Sequence, residues 1–250
     1  MFDRYWLIFA TGLSFSIFGI CGVIITIILL PILWLTPDSL YRQKLGKKFL
    51  KQCFKSFLWG MQFFGAIGVK TEHLDLLKPG GTLVLANHPS LIDAVIIMAL
   101  IENPDGIIKS SLFNNPSMYG LAKFAGLIRN EEGPDLIRKS IESIRNGNNL
   151  LIFPEGTRTI DLAKVSFKRG AGYIAVRGKI NIVPVFVFLS EPALRKGVPW
   201  YRVPREKPIF TISVRPEINT QAIVNCSGDL ILESSVMTQY LEDFFMRELG

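Results

Sequence analysis

From Tyr5 to Pro37 the chain carries no charged residue, and Ile17–Ile32 is almost wholly apolar. A helix needs about 20 apolar residues to cross a bilayer, so this stretch predicts a membrane segment. It exceeds the apolar region of a secretory signal, and it lacks a convincing small-residue cleavage site. Two geometries satisfy it. One is a single tilted crossing; the other breaks at Gly12, Gly19, Gly22 or Pro31 and re-enters one leaflet.

The next pattern is helical. Leu45, Phe49, Leu50, Cys53, Phe54, Phe57 and Leu58 recur at helix spacing, and Lys44, Lys48, Lys51 and Lys55 follow i, i+4, i+7, i+11 on another face. Aromatics on one side and lysines on the other predict a helix in the headgroup plane. The alternative is a surface helix packed on the core of the following domain. The chain therefore divides at the sequence level into a membrane anchor, 1–64 (apolar segment 5–37, basic amphipathic helix 41–64), and a domain, 65–250.

Beyond residue 65 the period alternates. Thr82–Ala86, Gly106–Lys109, Asn149–Phe153, Ile180–Leu189 and Pro208–Val214 read as strands, and Leu91–Ile101, Gly170–Val176 and Ile231–Leu249 as helices. Pro134, then Leu136, Ile137, Ile141 and Ile144, then Gly147, spells a short helix with punctuation at both ends. Lys70–Asp75 reads as a polar connector and Glu191–Lys207 as the longest loop. Strands alternating with helices predict an α/β fold: a mixed, largely parallel sheet flanked by helices, preceded by the membrane-anchoring helical segment.

Composition sharpens this picture. Hydrophobic residues make up 49% and charged residues 20%, with a mean hydropathy of +0.32, which excludes a disordered chain. The net charge is +7. Six of those charges come from Arg42, Lys44, Lys47, Lys48, Lys51 and Lys55, with no acid among them. A local basic strip beside an apolar segment fits anionic lipid headgroups, not nucleic acid. By the positive-inside rule it places the downstream domain in the cytoplasm, at the inner membrane surface. The cysteines, Cys21, Cys53 and Cys226, form no paired motif.

Only two histidines are present, His73 and His88. His73 lies in the polar connector and reads as exposed. His88 follows a predicted strand and precedes Pro89, which biases it to extended backbone. It thus sits at the strand's C-terminal end, where α/β sheets bind ligands. If Asp93 falls in the first turn of the next helix, its carboxylate can curl back to His88 Nδ1 and leave Nε2 as a base. Phe153-Pro154-Glu155-Gly156-Thr157-Arg158 follows another apolar strand. That turn suits presentation of Glu155 and Arg158 at a sheet edge, with a planar guanidinium for phosphate. Phe167-Lys168-Arg169-Gly170 opens a helix, whose N-terminus favours anions.

NHPSLIDA at 87–94, FPEGTRT at 153–159, FKRGA at 167–171 and IVPVF at 182–186 together resemble the four ordered blocks of the glycerolipid acyltransferase family, which includes 1-acylglycerol-3-phosphate acyltransferases. The resemblance covers about residues 80–190. It implies that His88 is the general base, that Asp93 orients it, and that Glu155, Gly156, Thr157 and Arg158 shape the acceptor site. Arg129, in the loosely matching Gly126–Asn130 block, is implied as a second phosphate contact; Lys168 is either a further one or a solvated lysine, and Pro184 is structural or pocket-forming. The implied reaction moves an acyl group from acyl-CoA or acyl carrier protein to a lysophospholipid hydroxyl, without metal or resident cofactor. Membrane lipids and the acyl carrier are the implied partners. Transfer to another amphiphile (glycolipid, amino-acid lipid or polyene lipid) and non-catalytic lipid binding are the alternatives.

Overall fold

The computed structural model describes residues 2–130, 133–158, 166–224 and 228–250. Two long helices lead, α1 (Phe2–Leu35) and α2 (Leu40–Phe63). Then follow β1 (Gly68–Glu72), β2 (Leu83–Ala86), α3 (Asp93–Leu100), β3 (Pro104–Ile108), α4 (Ser110–Phe113), α5 (Pro116–Ala125), β4 (Ile128–Arg129), α6 (Pro134–Arg145), β5 (Asn149–Ile152), α7 (Gly170–Gly178), β6 (Ile182–Leu189), β7 (Ile209–Val214), α8 (Thr220–Ile223) and α9 (Leu230–Leu249). The strands form one sheet in the order β1-β7-β6-β2-β5-β3-β4. All neighbours pair in parallel except β6 with β7.

The central strands read as continuous apolar runs because both faces of the sheet are covered. Alternate residues of each strand serve different layers. Val84, Leu151 and Val185 pack with α2, α3 and α5. Leu83, Leu150 and Phe186 pack with α6, α7 and α9. Residues 70–72, taken above for part of a connector, belong to β1. This strand pairs only with β7, so its outer positions are exposed and its sequence is polar. The segment α4–α5–β4 was not anticipated, although α5 carries ordinary end signals: Asn115 caps it, Pro116 opens it and Gly126 closes it in the left-handed conformation.

α1 is continuous over 34 residues, about 51 Å at 1.5 Å per residue. It does not break at its glycines or at Pro31. The glycines admit neighbours instead. A side chain at Gly22 would collide with the Ser117 carbonyl of α5, and one at Gly120 of α5 would collide with Thr26. The Gly120 N–H donates to Thr26 Oγ1 at 3.1 Å. α1 is thus cemented along α5 by small and hydroxyl residues, which let two backbones approach.

α2 is built into the α/β core, which is the second of the two readings offered for it. Leu50, Phe54, Leu58 and Met61 are buried, while Leu45 and Phe49, expected on the same apolar face, are exposed. Gly46 lies flush against the Phe124 backbone. The lysine face is divided. Lys44, Lys48 and Lys55 point out, whereas Lys51 bonds Glu102 at 2.5 Å. Lys47 is only 1% exposed, and its ammonium donates to Asp105 Oδ2 and to the Ala125 carbonyl, each at 2.9 Å. Asp105 also accepts from Ser143 Oγ and the Gly106 N–H, so one ion pair ties α2, α5, α6 and β3.

Removing one partner of a buried pair strands the other charge. Lys47→Met is expected to cost about 3–5 kcal/mol of stability, measured by chemical denaturation in detergent. Adding Asp105→Asn is expected to restore a large part of the loss.

Candidate active site

β2 and β5 are adjacent and parallel, so the segments that follow them emerge side by side at one edge of the sheet. After β2, Asn87 is buried and extends the pairing with β6. Its Nδ2 donates to the Val187 carbonyl at 3.0 Å, and its Oδ1 accepts from the Val187 N–H at 2.7 Å. That double bond to the neighbouring backbone fixes the residue before His88.

Asp93 is the first residue of α3 and is completely buried. Its Oδ2 accepts from His88 Nδ1 at 3.0 Å and from the Ser90 N–H at 2.6 Å. The carboxylate thus curls back across the turn before its helix, at the end where the helix dipole favours negative charge. Its Oδ1 has no hydrogen-bond partner among the described residues. Burial pushes the Asp93 carboxyl above the ordinary carboxylate range. The hydrogen bond and charge of His88, the Ser90 N–H and the charge of Arg158 pull the other way. The opposite ring face of the site comes from β5: Phe153 stacks on His88 with centroids 4.0 Å apart and planes 18° apart. The His88 side chain remains 19% exposed.

The turn after Phe153 stands beside this pair. The Gly156 N–H donates to the Phe153 carbonyl at 3.0 Å, with Gly156 at φ +67, a left-handed conformation suited to glycine. The Lys168 chain crosses over Gly156; a Cβ there would lie 3.0 Å from its Nζ. The Lys168 N–H donates to the Pro154 carbonyl at 2.8 Å, joining this segment to the turn. Arg158 Nη1 donates to the Leu194 carbonyl at 3.1 Å. Arg158 is close enough for its charge to act on Asp93. Glu155 is half-buried, and Thr157 is exposed.

Seven of the expected residues therefore converge: His88, Asp93, Glu155, Gly156, Thr157, Arg158 and Lys168. Arg129 stands apart. It ends β4, two strands beyond β5, or about 10 Å away by strand spacing, and its guanidinium covers the Phe113 ring at 5.0 Å. It lines a cavity of about 910 Å³ between the end of α1, α5, β4 and α6, whose walls do not include His88. His73 is exposed, as expected. Phe153, Leu194 and Lys196 were not anticipated as site residues. Phe153 was legible only as the end of an apolar strand, and Leu194 and Lys196 lie in a loop with no local signature.

A His–Asp pair and a turn carrying an arginine thus lie together at the C-terminal edge of the sheet. Residues 68–187 match the family model described as Acyltransferase. It is 31% identical over 155 residues to the 1-acyl-sn-glycerol-3-phosphate acyltransferase of Saccharomyces cerevisiae, covering 57% of this chain and 51% of that protein. It is 32% identical over 145 residues to the protein of the same name from Limnanthes douglasii, covering 55% and 50%. The chain spans about half the length of these curated relatives. The crystal structure of the 1-acyl-sn-glycerophosphate (LPA) acyltransferase PlsC from Thermotoga maritima shares the fold, with a TM-score of 0.64 at 20% identity over 97% of this chain and 96% of that one.

The raised Asp93 pKa has a signed consequence. The residue's contribution to stability is complete below its unfolded pKa, where it is protonated in both states, and is lost as pH rises through the folded value. Asn carries no such titration. The stability of Asp93→Asn relative to the parent is expected to rise as pH increases above the ordinary carboxylate range, about pH 4, followed by urea denaturation at each pH.

Proposed function

We propose that this protein is a membrane-associated O-acyltransferase that moves a fatty acyl group from acyl-CoA or acyl carrier protein to the free hydroxyl of a lysophospholipid, 1-acylglycerol-3-phosphate, giving phosphatidic acid. The observation that carries the reading is His88 held by a fully buried Asp93, with Arg158 acting on the same carboxylate. The names of the curated relatives support the acceptor.

In this mechanism His88 Nδ1–H donates to Asp93 Oδ2, which leaves Nε2 as the base. Nε2 takes the proton of the acceptor hydroxyl as its oxygen attacks the thioester carbonyl carbon. The tetrahedral centre collapses, the carbon–sulfur bond breaks, and His88 returns the proton to the departing thiolate. The products are an ester and a free thiol. Asp93 holds the tautomer and stabilises the transient imidazolium. Arg158 holds the acceptor's phosphate with a planar pair of donors. Direct transfer of this kind requires no resident cofactor or metal.

Membrane attachment follows from the outward faces of the two leading helices. α1 is long and apolar enough to cross a bilayer by length and composition. Its exposed side carries Tyr5, Trp6, Phe9, Ile20 and Ile27, and α2 adds Trp59 stacked on Phe63 beside Lys44, Lys48 and Lys55. Because α1 is fixed along α5, a perpendicular crossing would carry the exposed Lys123 of α5 into hydrocarbon, which is costly. In the proposed arrangement α1 therefore lies within one leaflet, with the α/β domain on the cytoplasmic side.

Two measurements test this reading. With purified protein in detergent, His88→Ala is expected to lower thiol release from acyl-CoA and lysophosphatidic acid by about 10²–10⁴-fold while sparing vesicle binding; an undiminished rate refutes the base assignment. Replacing Lys44, Lys48 and Lys55 together with Gln is expected to weaken binding to anionic vesicles by about 1 kcal/mol per lysine. Binding to neutral vesicles stays unchanged.

A further inference from the structure

The connection from β6 to β7 contains no helix or strand, yet it is tied down at both of its working ends. Leu194 adopts the left-handed conformation, φ +52, which is uncommon for a non-glycine residue. Its carbonyl accepts both from the Leu91 N–H and from Arg158 Nη1, each at 3.1 Å. One backbone oxygen thus joins the loop that carries His88 to the turn that carries Arg158. Farther along, Trp200 lies against Gly12 of α1; a Cβ at Gly12 would come within 2.9 Å of the indole. The connection is a strap from the membrane helix to the site.

Between these two ties, Lys196 Nζ donates to Thr157 Oγ1 at 2.7 Å. Both residues are exposed. Holding a long side chain against a neutral hydroxyl in water returns little for the entropy lost. The position does, however, complete a cluster of charge. Lys168 and Lys196 reach the turn that carries Arg158 from two other segments. Like charges repel at such range, and a bound anion offsets that cost. While accepting from Lys196, the Thr157 hydroxyl keeps its own O–H to donate.

We propose that Lys196 is a further acceptor-binding residue, a third cation for the phosphate monoester of the lysophospholipid, delivered by the strap and relayed in part through Thr157. The proposal rests on the acyl-transfer reading for the nature of the acceptor. Coenzyme A also carries phosphate, so the test separates the two.

The experiment uses the full chain in detergent, with initial rates at varied lysophosphatidic acid and varied acyl-CoA. Protection against thermal unfolding is measured with lysophosphatidic acid and with monoacylglycerol of the same chain length. Lys196→Gln is expected to raise KM for lysophosphatidic acid about tenfold with kcat and the KM for acyl-CoA unchanged. The extra protection that the phosphate gives over monoacylglycerol falls with it. Lys196→Arg keeps the charge and retains most of both effects. An unchanged acceptor KM in Lys196→Gln beside an active parent overturns the proposal alone, as does a rise confined to acyl-CoA. A parent that neither releases thiol nor is protected better by lysophosphatidic acid than by monoacylglycerol overturns the acyl-transfer reading, and this assignment with it.

Discussion

The edge of the sheet that carries the candidate site depends on a carboxylate placed where water cannot reach it. Asp93 is fully buried at the head of α3, and among the described residues two donors, one from His88 and one from the Ser90 backbone, meet it. A charge kept out of water at that position is unfavourable by itself, as its raised pKa shows. The fold tolerates it because the sheet, α3 and the Asn87 bridge to β6 hold the surrounding backbone independently. What results is an imidazole with Nδ1 held by Asp93 and its ring braced on Phe153, which would leave little reorganisation for the proton transfer proposed for it.

A second buried ionic contact governs how the leading helices relate to that edge. The basic strip between Tyr41 and Ser56 looks uniform along the chain, yet its members do unlike work. Lys47 closes an interior pair with Asp105, Lys51 bonds Glu102, and Arg42 bonds Asp38. Only Lys44, Lys48 and Lys55 face outward. α2 is therefore both a wall of the core and, in the proposed function, the face offered to lipid headgroups. α1 adds an apolar outer surface while its small inner residues seal against α5. The strap from Leu194 to Trp200 touches both the candidate site and α1.

The legible parts of the site were those whose signal is local. His88 before a proline, Asp93 at a helix start and glycine in the turn before Arg158 each announce a backbone shape within a few residues. The strands were legible for the same reason, as short apolar runs between turn residues. The edge strand β1 was missed because a strand paired on one side keeps exposed polar positions. α5 was missed although its caps are present, because its middle mixes glycine, lysine and aromatics instead of repeating an apolar stripe. Arg129 was grouped with the site by its place in a motif, but strand order set it two strands away.

By itself the amino-acid sequence determined the α/β class, the apolar lead segment, the amphipathic period of α2 and the residues able to carry acid–base chemistry, since each follows from spacing within one element. Tertiary structure alone decided which lysines of α2 turn inward, how α1 lies along α5, and that Leu194 and Lys196 reach a turn some 40 positions earlier in the chain. Contacts of that kind depend on which strands become neighbours, and neighbour order in a parallel sheet is set by the packing of the whole domain.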